Sequence, residues 1–177
     1  LIGGSKMSTL IIYSTKHGAA GKCALMLSKK ISGQVDVHNL KEADAPDLAR
    51  YEKVVIGGSI YMGRVQKEVS QFCSQNLETL RNKKLGFFLC CMFKDNLEAQ
   101  LNTNFPSELL ERACAKESFG AEMRFSDMNF GEKLITKLVS KTIAKNDPKA
   151  LSVDMKSDMS MICEEAIDRF AQQMNSV

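Results

Sequence analysis

Short apolar runs alternate with longer amphipathic stretches along most of the chain. Residues 9–14 (Thr-Leu-Ile-Ile-Tyr-Ser) carry an apolar run at 10–13 that ends in Ser14-Thr15, the pattern of a strand buried on both faces. Residues 21–32 place Cys23, Leu25, Met26, Lys30 and Ile31 at helical spacing, which predicts a helix with a mostly apolar inner face. Residues 34–40 set Val35, Val37 and Asn39 against Asp36 and His38, as an exposed edge strand would. Asp44-Ala45-Pro46-Asp47 suits a turn into a short helix. Residues 53–58 form an unbroken apolar run ending in two glycines, which predicts a central parallel strand. Helices are then expected over 66–80, 97–115 and 159–174, and strands over 84–91 and 118–125. Strands alternating with helices predict an α/β fold: a parallel sheet with helices on both faces. In such open sheets the ligand lies outside the carboxyl ends of the strands, where the strand order reverses. The loops over 14–20, 59–64 and 91–96 are therefore the ones in which to seek chemistry.

Composition narrows the classes without choosing among them. A length of 177 residues fits one domain, and 44% hydrophobic residues can fill its core. No apolar stretch approaches the roughly 20 residues that a bilayer-spanning helix needs. Residues 1–6, ahead of Met7, read as a cloning remnant, which leaves 7–177 as a single domain. The six cysteines form no C-x-x-C pair and have only His17 and His38 as companions, so neither a zinc site nor a disulfide framework is expected. A reducing, cytoplasmic setting suits free thiols. The formal charge of +3 is mild, and no basic-aromatic interleaving points to nucleic acid.

The first loop carries the clearest chemistry. Ser14, Thr15, Lys16, His17, Gly18, Ala19 and Ala20 lead from a buried strand into a helix. Unpaired amides and the positive end of the helix dipole there favour a phosphate. A triphosphate-binding loop is excluded by spacing: G-x-x-x-x-G-K-[ST] is not met, and Cys23 stands where magnesium would need a hydroxyl. Tyr61 and Met62 follow two glycines on a loop tip and suit contact with an apolar ring. Met92 and Phe93 could do the same or simply close a buried strand. Cys90 and Cys91 should point to opposite faces of their strand, which favours a structural role. No side chain stands out as a general acid or base.

Ser14-Thr15-Lys16-His17-Gly18, together with Val54-Val55-Ile56-Gly57-Gly58-Ser59-Ile60-Tyr61-Met62-Gly63, resembles the flavodoxin family. Within it, the second motif is most similar to the branch of oxygen-independent protoporphyrinogen dehydrogenases. Gly120-Ala121-Glu122-Met123-Arg124-Phe125 and the helix after it match that branch's insert, here near 126–148. The resemblance implies a flavodoxin-like three-layer sandwich with a five-stranded parallel sheet of order 2-1-3-4-5. It also implies noncovalently bound FMN and electron transfer at the flavin. By position, 14–20 would cradle the phosphate. Ser59, Ile60, Tyr61, Met62 and Gly63 would line one side of the ring, and Cys91, Met92, Phe93 and Lys94 its other edge. Ala20 stands where these loops usually carry a second hydroxyl, and the chain has no Trp to stack on the ring.

Three functions stay open on this reading. They are an electron carrier between protein partners, a protoporphyrinogen dehydrogenase-like enzyme passing electrons to a quinone, and a flavodoxin-like domain that has lost FMN. The insert adds a further question. Leu134, Ile135, Leu138, Val139, Thr142 and Ile143 form an apolar stripe at helical spacing, with Lys133, Lys137, Lys141 and Lys145 beside it. A helix packed on its own domain, a partner-docking helix and a helix lying on the inner face of a membrane all fit that pattern.

Overall fold

The computed structural model describes residues 8–91, 96–123, 126, 128–146 and 158–177. Five strands, β1 (Ser8–Ser14), β2 (Gln34–Asn39), β3 (Lys53–Ser59), β4 (Lys84–Cys90) and β5 (Ala113–Ser118), form one parallel sheet of order β2-β1-β3-β4-β5. This is the expected 2-1-3-4-5 arrangement. It places the reversal of strand order between β1 and β3, where Ser14 pairs with Gly58.

Alternation along the strands divides the core in two. Ile11, Val55, Phe88 and Cys90 face one layer with α1 (Ala19–Ser28) and α7 (Glu164–Asn175). Leu10, Ile56, Phe87, Leu89 and Cys91 face the other, with α2 (Lys67–Gln75) and α4 (Leu97–Asn104). Cys90 and Cys91 thus lie on opposite faces of the sheet. In the first layer Phe88 stacks on Phe119, 4.8 Å between centroids, and Phe119 meets Phe170 edge-on at 5.3 Å. At the amino end of the sheet, buried Lys53 donates from Nζ to the Met174 carbonyl at 2.6 Å. That carbonyl belongs to the last turn of α7, where the helix dipole favours a cation. Burial nevertheless lowers the pKa of Lys53.

Several element boundaries depart from the sequence expectation. The first helix buries Ala20, Cys23, Ala24 and Leu27, and Leu25 is exposed, so the inner stripe is smaller and turned from the one expected. The helix expected over 66–80 breaks at Asn76, whose own amide and side chain both donate to the Phe72 carbonyl. A short helix, α3 (Leu77–Leu80), follows. Pro106, with no N–H and a fixed φ, ends α4 and opens the single turn α5 (Ser107–Leu110). Residues 113–115, expected as helix, instead begin β5, with Ala113 and Ala115 paired to Leu85 and Gly86 of β4, and the strand expected over 118–125 already ends at Ser118. After β2 only a 3₁₀ turn forms (Leu48–Arg50), capped by Asp47 accepting from the Ala49 amide at 3.0 Å.

The chain divides into two compact units. The first holds the sheet and runs to Ala121, resuming at Met161. The second, 122–160, holds the antiparallel pair β6 (Glu122–Met123) and β7 (Met159–Ser160) and the long helix α6 (Phe130–Asn146). Asn129 caps α6. Its Oδ1 accepts from the Glu132 amide at 2.9 Å, and Glu132 Oε2 accepts from the Asn129 amide at 3.0 Å, a reciprocal capping box.

Candidate functional site

The described loops at the carboxyl edge of the sheet are each built differently. After β1, Thr15 Oγ1 accepts from the Gly18 amide at 3.0 Å and closes a tight turn. Gly18 takes the left-handed conformation, φ 91°, which glycine adopts without steric penalty. No side chain caps α1, and its first helical bond runs from the Lys22 amide to the Gly18 carbonyl. The amides ahead of Lys22 in α1 therefore lack intrahelical partners. Ala19 and Ala20 are buried in the core cluster of α1, so what they can offer a ligand is backbone. Ser14 is buried, and its hydroxyl donates to Glu68 Oε2 on α2 at 3.3 Å.

After β3 the chain makes a two-residue hairpin turn. Tyr61 and Arg64 exchange both backbone hydrogen bonds, 2.9 and 3.1 Å, while Met62 and Gly63 take φ of 51° and 77°. Two successive positive φ values mark a type I′ turn, strained for methionine. Asn104 braces it from α4. Its Oδ1 accepts from the Val65 amide at 2.9 Å, and its Nδ2 donates to the Gly63 carbonyl at 3.2 Å. Arg64 Nη1 donates to the Thr103 carbonyl at 2.9 Å. The turn thus holds the Met62 side chain largely in solvent. The two loops meet where Lys16 Nζ lies 3.9 Å over the centre of the Tyr61 ring.

At the root of this turn, Ser59 has its amide bonded to Gln66 Oε1 at 3.3 Å, but its buried Oγ has no partner. Leaving a buried hydroxyl unpaired is unfavourable, so an orphan at the mouth of the sheet suggests a missing acceptor or donor. After β4, Cys91 Sγ lies 3.3 Å from Ser118 Oγ and Ile60 donates its amide to the Cys90 carbonyl at 2.9 Å. Met92, Phe93 and Lys94 lie outside the described residues. So do Arg124 and Phe125 of the insert motif. The first and second loops are thus brought together, with Cys91 at the end of the neighbouring strand.

A separate cleft of about 530 Å³ lies between residues 40–48 and the face of α2. The lining includes Asp44, Asp47 and Glu68 and no Lys or Arg, so its charge is wrong for a phosphate. Among the described residues, no three His, Cys, Asp or Glu side chains gather to hold a metal ion. None of their helices is long and apolar enough to cross a membrane.

The sequence matches the flavodoxin domain family over residues 10–150. The chain belongs to this flavodoxin family. Among curated proteins it is 31% identical over 85 residues to the protoporphyrinogen IX dehydrogenase [quinone] of Escherichia coli strain K12. That alignment covers 46% of this chain and 47% of the relative, so the chain spans about half the length of the curated relatives it matches. A Streptococcus pneumoniae TIGR4 flavodoxin superposes with a TM-score of 0.52 at 15% identity, covering 96% of this chain and 98% of that one. A short-chain flavodoxin associated with a bacterial microcompartment gives 0.54 at 12% identity, covering 96% and 97%. These likenesses carry the fold alone. Sequence reasoning found the two motif loops but missed Gln66, Glu68 and Asn104, which touch them. Nothing in their local spacing marks them, because each acts across at least seven residues of chain.

Proposed function

We propose that this flavodoxin-family chain binds FMN at the carboxyl edge of its sheet and works as an electron-transfer protein. The observation that carries the reading is the orphaned Ser59 hydroxyl beside a glycine-headed helix end, in a chain whose family model spans both loops. The residues present fit the group. The α1 amides would hold the phosphate, since Ala20 offers no hydroxyl and Ser14 already donates to Glu68. Ser59 would bond to the polar edge of the ring, and the braced 60–63 turn would lie against its side. Lys16, over Tyr61, would set that ring's position and add positive charge beside the phosphate. When bound, FMN supplies one- and two-electron redox chemistry. The protein supplies orientation, exclusion of water and hydrogen bonds that favour one redox state.

Reconstitution tests this directly. Titrating the purified protein with FMN should quench flavin fluorescence to a stoichiometric endpoint. Absence of saturable quenching would leave the alternative of a flavodoxin-like domain that does not bind FMN. The match to the Escherichia coli dehydrogenase favours a second reading, oxidation of a protoporphyrinogen-class substrate with transfer to a quinone. Anaerobic turnover of protoporphyrinogen with a quinone acceptor distinguishes it from a carrier that serves protein partners.

A further inference from the structure

We infer that α6 is a membrane-surface helix that docks this protein on an anionic lipid bilayer. The helix is secured at its start by the Asn129–Glu132 capping box, so its faces are fixed rather than frayed. Phe130, Leu134 and Leu138 follow one another at four-residue spacing and are 85%, 50% and 58% exposed. Lys133, Lys137 and Lys141 run beside them at the same spacing, all exposed. Glu132 is buried, so every exposed charge among the described side chains of α6 is positive.

A continuous exposed row of Phe and Leu is costly in water, because water gains nothing by contacting it. A bilayer interface accepts both rows together. Apolar side chains enter the acyl boundary, while Lys stems lie along it and raise their ammonium groups to the headgroups. Anionic headgroups then complement the charge row. A protein partner is the less suited occupant, since Lys is depleted in the buried centres of protein interfaces and three of them flank this stripe. The inference does not depend on FMN, because α6 belongs to the second compact unit and none of the proposed flavin contacts lies on it.

The chain contains no Trp, so Phe130→Trp introduces a single reporter at an exposed position. In the 177-residue chain, mixed phosphatidylcholine–phosphatidylglycerol vesicles should shift its emission to the blue, and brominated acyl chains should quench it. Sedimentation with the same vesicles should fall about a hundredfold when Lys133, Lys137 and Lys141 are all changed to Glu. Leu134→Ser with Leu138→Ser should also abolish it while leaving the circular dichroism of the protein intact. Equal binding to pure phosphatidylcholine, binding indifferent to the Lys→Glu changes, or no binding to any vesicle would each overturn the inference. The last result would direct attention to an acidic protein partner.

Discussion

Replacing Ser59 by alanine should make the protein without FMN more stable and its hold on FMN weaker. The two effects share one cause. Ser59 Oγ is buried at the end of β3 with no hydrogen-bond partner, and such a group costs about 1–3 kcal/mol in desolvation that folding does not recover. Removing one oxygen leaves a small void. At about 24 cal/mol per Å³ of cavity, that void takes back only a few tenths of a kcal/mol. The expected net gain is about 1 kcal/mol, read as a higher urea midpoint with an unchanged slope. On the proposed reading, bound FMN would give the same hydroxyl a partner. Deleting a hydrogen bond of about 0.5–1.5 kcal/mol should weaken FMN binding from about twofold to about tenfold.

Thr9→Val supplies the control. Thr9 Oγ1 is also buried and unpartnered, but it sits at the opposite, amino end of the sheet. Valine keeps its shape, so this variant should gain stability without altering FMN affinity. An Ser59→Ala protein that melts earlier than wild type would refute the argument. So would an unchanged FMN dissociation constant in a fluorescence-quenching titration. If Thr9→Val weakened FMN as much, the Ser59 effect would be global rather than a contact.

Other consequences can be measured independently. Gly57→Ala would thrust a methyl into the Phe88 ring, which is stacked on Phe119. Overpacking of about 1–3 kcal/mol, with partial loss of that stack and a gain of about 0.4–1 kcal/mol from the stiffer unfolded chain, gives a net loss of about 2 kcal/mol. Urea unfolding checks it. Glu68→Gln removes a negative charge from the Ser14 hydroxyl beside the phosphate turn and should tighten FMN binding a few-fold in the same fluorescence titration. Burial first, then the hydrogen bond to Asp36, raises the Tyr51 pKa. Its contribution to stability is complete below the unfolded value of about 10 and is lost as pH rises through the folded value. Alkaline urea titrations should therefore show a steeper stability loss for wild type than for Tyr51→Phe. Burial pushes the Cys73 thiol up to about 12, so brief alkylation of the native protein should spare it and modify only Cys114 and Cys163, the two partly exposed thiols. Peptide mass spectrometry reads the pattern.

The first four strands and the two motif loops were legible in the sequence because each depends on a local signal, whereas the strand order came only with the family resemblance and the fifth strand was expected at 118–125 instead of Ala113–Ser118. A buried parallel strand is a run such as 53–58, and a phosphate turn is a glycine ahead of an apolar-periodic helix. Where helices end was less legible. Asn76 and Pro106 interrupt patterns that otherwise continue, and at 113–115 pairing with β4 overrides a helical spacing. The braces of the site were not legible at all. Asn104 lies about forty residues from the turn it supports, and the link from Ser14 to Glu68 spans fifty-four. Such pairs arise from parallel crossovers, which bring distant segments to one edge of the sheet without leaving a periodic trace.

Ala20 shows why the phosphate turn need not follow its relatives residue by residue. Its side chain is wholly buried, packed in the α1 layer with Ile11, Val55 and Phe88. A hydroxyl at that position would have to choose between a buried orphan and a ligand on the far side of the turn. Alanine avoids the choice and gives up a bond to charged phosphate worth about 1.5–3 kcal/mol. The amides ahead of Lys22 and the helix dipole remain whatever side chain stands there, because the left-handed Gly18 and Thr15 Oγ1 shape the turn. On this account Gly18→Ala should harm FMN binding more than Ala20→Thr improves it, since the first distorts the backbone that holds the anion and the second only adds to it. Equal and opposite effects in paired FMN titrations would show that side-chain hydroxyls, and not the amides, carry the affinity.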